Sequence, residues 1–117
     1  MGSEEIERFY NSLISSENIH GVIILKDAEI LRTNLDEEKA KKFIEFADEI
    51  LKRAEKSLKR LPELTGEINF VSIFLQNNLV VLISVYGSYK LVVVARVEDT
   101  SVEEIKEMMR KVKETLE

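Results

Sequence analysis

The stretch Asp36–Leu61, DEEKAKKFIEFADEILKRAEKSLKRL, limits the possible folds more than any other part of this chain. Ala40, Phe43, Ile44, Ala47, Ile50, Leu51, Ala54, Leu58 and Leu61 recur at steps of three and four residues, which is the spacing of one helical face. Glu37/Lys41, Glu38/Lys42, Asp48/Lys52, Glu49/Arg53 and Glu55/Lys59 are i,i+4 pairs with the acid first, the better orientation. Asn34 or Asp36 supplies an N-cap, and the acids that follow suit the positive end of the helix dipole. Pro62 stops the helix, because it offers no N–H and drives Leu61 out of the helical region. At 1.5 Å per residue the helix is roughly 37 Å long. Its apolar arc covers roughly 160°, wider than the ~100° stripe needed to sit on one sheet. Ala47 and Ala54 lie mid-arc and allow close approach to a sheet. Phe43, Phe46 and Ile50 gather towards one border, where they can serve a second surface.

The rest of the chain supplies that sheet. With 117 residues a single domain spanning 1–117 is expected, large enough to bury a core without staples; Met1-Gly2-Ser3 resembles a cloning scar. Glu4–Ser16 reads as a first helix with Ile6, Phe9, Tyr10, Leu13 and Ile14 on one face. Val22–Leu25 is a short β-branched strand, Asp27-Ala28 a tight turn, and Glu29–Thr33 the returning strand. After Pro62 come Ile68–Leu75, a turn at Gln76-Asn77-Asn78, Leu79–Tyr86, a turn at Gly87-Ser88, and Tyr89–Val97. Leu91–Ala95 is apolar on both faces and therefore covered on both. Ser101-Val-Glu-Glu104 is a capping box opening a last helix whose seam is Val102, Ile105, Met109, Val112 and Leu116. The order α-ββ-α-βββ-α defines an α+β fold: a three-layer sandwich around a five-stranded antiparallel sheet, with the long helix on one face and the terminal helices on the other.

Composition removes several functional classes. The chain has no cysteine, so disulfides, thiolate metal sites and a cysteine nucleophile are excluded, and a cytoplasmic location is expected. A net charge of −5 and pI near 5.1 argue against nucleic-acid binding, which needs a basic patch. No apolar run approaches the roughly 20 residues of a membrane span, so membrane insertion is not expected. Abundant Lys and Glu with a single Gln (Gln76) point to a thermophilic source.

No catalytic constellation is readable. His20 is the one histidine and has no clustered acids around it, which makes it a surface or turn residue. Asp36-Glu37-Glu38 and Glu103-Glu104 open helices, where negative charge is favoured without any metal. Gly21, Gly66 and Gly87 stand apart, so no glycine-rich phosphate cradle exists. Ser84 and Ser88 have no base nearby in sequence. Tyr86 and Tyr89 flank a turn as a weak binding signal. No enzyme, cofactor or metal is expected. The third strand differs: Ile68, Phe70 and Phe74 point one way and Val71, Ile73 and Leu75 the other. At a sheet edge such a strand, undefended by Lys or Pro, aggregates unless something pairs with it. A second copy meeting it across a two-fold axis is the simplest remedy.

Taken together, Ile19-His20-Gly21-Val22, the Asp27-Ala28 hairpin, the long second helix and Leu91–Ala95 followed by an acid-rich turn resemble the Roadblock/dynein light chain family, in its MglB-like prokaryotic form. Ala28 stands where that family usually has Gly, and Thr100-Ser101-Val102 where it commonly has Asn-Leu-Gly. The resemblance implies the profilin-like sheet order 2-1-5-4-3, with strand three at an edge. It also implies a homodimer in which third strands pair and second helices pack antiparallel. Phe43, Phe46, Ile50, Phe70, Val71, Ile73 and Phe74 then form the dimer interface. A scaffold or regulator of a small Ras-like GTPase follows as the expected function, with Lys41, Asp48, Lys52, Glu55 and Lys59 as the partner surface. The alternatives are a small-molecule sensor domain and an adaptor subunit of a larger complex.

Overall fold

In the computed structural model, which describes residues 3–97 together with Glu107, Arg110, Lys111 and Glu114, the chain runs α1 (Ser3–Ile14), β1 (Ile19–Lys26), β2 (Glu29–Thr33), α2 (Glu37–Leu58), β3 (Phe70–Phe74), β4 (Leu79–Tyr86) and β5 (Tyr89–Arg96). Glu107, Arg110, Lys111 and Glu114 are helical; the seam expected for the last helix lies outside the described residues.

Asp36 is the cap of α2. Its carboxylate accepts the Lys39 N–H at 2.7 Å, and Glu37 and Glu38 fill the first turn. Asn34 does different work: its Oδ1 accepts the Val22 N–H at 2.8 Å and its Nδ2 donates to the His20 carbonyl. Together with the Thr33 hydroxyl donating to the Val22 carbonyl, this ties the start of α2 to β1. The helix ends at Leu58, earlier than Pro62 alone requires. The Arg60 and Leu61 N–H groups bond three residues back, to Ser57 and Leu58, so the last turn tightens before the proline. β1 begins at Ile19, so Ile19-His20-Gly21-Val22 is strand and not its approach.

The sheet is antiparallel with order β2-β1-β5-β4-β3. Alternation sorts its side chains into two cores. Ile6, Tyr10 and Leu13 of α1 pack on Val22, Ile24, Val80, Leu82, Leu91, Val93 and Ala95. Ala40, Ala47 and Leu51 of α2 pack on Ile23, Leu25, Val81, Ile83, Val92 and Val94. Fully buried Ala40 and Ala47 bring the α2 backbone close to the sheet.

Ile68 departs from the expected alternation. It lies before β3, beyond Asn69, and joins the α2-side core with Val71 and Ile73, whereas Phe70 and Phe74 belong to the other face. The two-residue rule applies only inside a strand. Tyr86 and Tyr89 are half-buried, and Tyr89 packs on the α1-side core beneath the Lys26 ammonium.

Both residues of the β1–β2 turn have left-handed backbone, Asp27 at φ 49° and Ala28 at φ 72°. A two-residue turn with both φ positive matches the twist of the strands but strains any residue with a Cβ. Asp tolerates this better than Ala. Ala28→Gly is therefore expected to stabilise the protein by about 1 kcal/mol, a rise of several degrees in the thermal midpoint. Calorimetry at fixed protein concentration checks it, and a lower midpoint would count against the strain.

Candidate functional site

The two sheet edges differ. β2 carries Glu29 and Arg32, and the β1–β2 register shifts between Ile24 and Leu25. Arg32 is also held from behind: it pairs with Glu7 of α1 at 2.6 Å and its guanidinium stacks 4.9 Å from the Tyr10 ring. Charge and irregular register blunt that edge. β3, FVSIF, has neither charge nor proline.

Main-chain bonding across the β3–β4 hairpin sets which groups of β3 are unused. The Leu75 N–H donates to the Leu79 carbonyl at 2.8 Å, and the Val85 N–H donates to the Asn69 carbonyl at 2.9 Å. Bonded and non-bonded pairs alternate along an antiparallel ladder. Val71 and Ile73 therefore bond to β4, while the N–H and C=O groups of Phe70, Ser72 and Phe74 are directed off the sheet. Asn78, at φ 65°, closes this hairpin in the left-handed conformation expected of an asparagine turn.

Large apolar side chains accompany the open edge. Phe74 is 52% exposed, and Phe70 and Leu75 are also exposed, while Val71 and Ile73 are half-buried on the α2 side. On α2, Phe46 is exposed at 40%, and Phe43 and Ile50 are half-buried beside the core. Helical spacing puts these three on one flank of the core-facing line. Lys41, Asp48, Lys52, Glu55 and Lys59 fall on the other flank.

Four of those five polar residues share a groove. Asp48, Lys52, Glu55 and Lys59 form one wall of a depression of about 900 Å³, closed opposite by Leu64, Thr65, Gly66, Glu67, Ile68, Val85 and Lys90, with Leu51 and Leu58 beneath. Lys90 reaches from β5 to pair with Asp48. Neither the groove nor this ion pair was readable in the sequence, since the pair joins residues 42 apart. Lys41 is exposed nearer the helix start, outside the groove.

The residues that could carry chemistry are dispersed. His20 is exposed on β1, Ser84 is half-buried in β4 and Ser88 is exposed in a turn. Glu103 and Glu104 lie outside the described residues. Among the described residues, no three His, Asp or Glu side chains gather as a metal site, and no helix is long and apolar enough to cross a membrane.

The arrangement is that of an α+β sheet covered by one described helix on each face, with one protected and one open edge. No protein-family model and no curated protein matches the chain. Among solved structures it is similar to the crystal structure of a Roadblock/LC7 domain from Streptomyces avermitilis, with TM-score 0.67, 18% sequence identity and coverage of 92% of each chain. The chain has the roadblock fold.

Proposed function

We propose that this chain is a non-catalytic scaffold or regulatory module of the cytoplasm, which forms a homodimer and binds a small Ras-like GTPase. The observation that carries the dimer is the open β3 edge, where unused main-chain groups and exposed Phe70 and Phe74 coincide. A two-fold axis perpendicular to the sheet pairs the edges and keeps both α2 helices on one face, with their Phe43, Phe46 and Ile50 flanks available to the contact. Since β2 is blunted, each copy has one adhesive edge, and assembly stops at two. The family resemblance supplies the GTPase.

The charged flank of α2 is the surface we assign to that partner. Lys41, Asp48, Lys52, Glu55 and Lys59 mix both signs on a rigid helix, an arrangement that governs encounter rate and specificity more than affinity. Ras-like GTPases of the same genome, titrated against the dimer in GDP- and GTP-analogue states, test this directly. Binding of at least one is expected, and the Lys52→Glu/Lys59→Glu double variant should weaken it without dissociating the dimer. A second reading, a small-molecule sensor, is favoured by the groove between α2 and the loop at Leu64–Ile68. Failure of every GTPase, together with tight capture of a metabolite, would decide for it.

A further inference from the structure

Lys90 breaks the apolar pattern of the central strand. Counting in twos along β5, it falls on the α2 side with Val92 and Val94. It stands opposite Leu25 of β1 and Val85 of β4, which belong to that same core. A lysine in such a place needs an acid, and Asp48 of α2 supplies it. The pair is only partly covered: the Lys90 side chain is 26% exposed and that of Asp48 53%. Two depressions meet at it. One is the groove of about 900 Å³. The other, of about 300 Å³, lies between α2 and the β1–β2 and β4–β5 turns, where Asp27, Ala28, Gly87 and Ser88 line it. Asp48, Val85 and Lys90 line both. Resting on the sensor reading of the groove, and independent of the GTPase, we infer that this junction binds a free α-amino acid with a large apolar side chain.

The ion pair selects a ligand that carries both charges. A lysine ammonium has three donors and a carboxylate several acceptor sites, and Asp48 and Lys90 occupy only part of these on each other. A ligand with a carboxylate alone would draw Lys90 away and leave Asp48 without its cation. An amine alone would do the converse, and separating a partly buried pair is costly. A zwitterion laid across the pair gives each charge a second partner and separates nothing. Glu55 and Glu67 balance Lys52 and Lys59 elsewhere along the groove, so no excess of cations favours a purely anionic ligand.

The neighbouring charges set the direction. Asp27 is a second acid in the smaller pocket, and Lys52, one turn from Asp48, is a second cation on the groove wall. The ligand ammonium is drawn towards Asp27 and Asp48, and its carboxylate towards Lys90 and Lys52. From the carbon between them the side chain enters the groove over Leu51, Ile68 and Val85. A leucine or phenylalanine side chain covers that apolar surface, whereas the methyl group of alanine leaves most of it wet.

Titration of the full-length protein, followed by the amide resonances of Ile68, Val85 and Lys90, tests the assignment. L-Leucine or L-phenylalanine should shift them saturably, and L-alanine should bind about tenfold more weakly. L-Leucinamide, which lacks the carboxylate, and 4-methylpentanoate, which lacks the amine, should each lose about tenfold or more. Asp48→Asn and Lys90→Gln should lose leucine binding to a similar degree. Unchanged resonances in the α1-side core, such as that of Val93, establish that each variant is folded. Either analogue binding as tightly as leucine, or full binding by folded Asp48→Asn, overturns the zwitterion site. If no amino acid shifts these resonances but the small-molecule fraction of a cell extract does, the ligand class falls and the sensor reading survives. Response to neither removes both.

Discussion

Phe74→Glu is expected to turn the proposed dimer into a soluble, folded monomer at micromolar concentration. In the isolated chain the Phe74 side chain is half exposed, so a carboxylate there remains in water and the core is untouched. In the edge-to-edge pairing proposed above the same position lies between the two copies, and the charge must be desolvated there. Burial of an unpaired charge costs several kcal/mol, and about 3 kcal/mol already weakens Kd by ~100-fold. Sedimentation equilibrium reads the outcome, with circular dichroism as the check on folding. A Phe74→Glu protein that remains dimeric would place the contact elsewhere.

Ile83→Ala should destabilise the fold severely. Ile83 has no exposed surface; it stands in β4 between Val71 of β3 and Val92 of β5, under α2. Truncation removes apolar contact and leaves a cavity that neighbours tied into the sheet cannot collapse to fill. The expected loss is about 2–5 kcal/mol, a large part of the roughly 5–15 kcal/mol that holds a domain together. Ile30→Ala serves as the control, because Ile30 is exposed on the blunted edge and its loss should cost no more than about 0.5 kcal/mol. Urea denaturation of both variants at one protein concentration, to hold dimer linkage constant, makes the comparison. Equal losses would refute this account of the core.

The element order was legible because each element announces itself over a few residues. Spacing of apolar residues along Glu37–Leu58 marks α2, and Asp36 is one of two caps on offer; the choice between Asp36 and Asn34 needed the position of Val22, whose N–H occupies Asn34. The hairpins are marked by Asp27-Ala28, Gln76-Asn77-Asn78 and Gly87-Ser88, and all three turns lie between paired strands. Alternation alone puts Ile68 on the wrong face, because counting in twos from β3 runs past the point where the strand begins.

What the sequence determined by itself is local: which segments are helix or strand, which faces are apolar, and that β3 lacks the charges and prolines that defend an edge. Such properties arise from residues within a few positions of each other, where periodicity and turn chemistry act. What only the tertiary structure decided is adjacency at long separation. Among the described residues it set β3 beside β4 alone, directed the main-chain groups of Phe70, Ser72 and Phe74 outward, joined Asp48 to Lys90, and opened a groove between α2 and the loop before β3. Those outcomes depend on how two cores pack at once against one twisted sheet, a many-body condition that no short window of residues encodes.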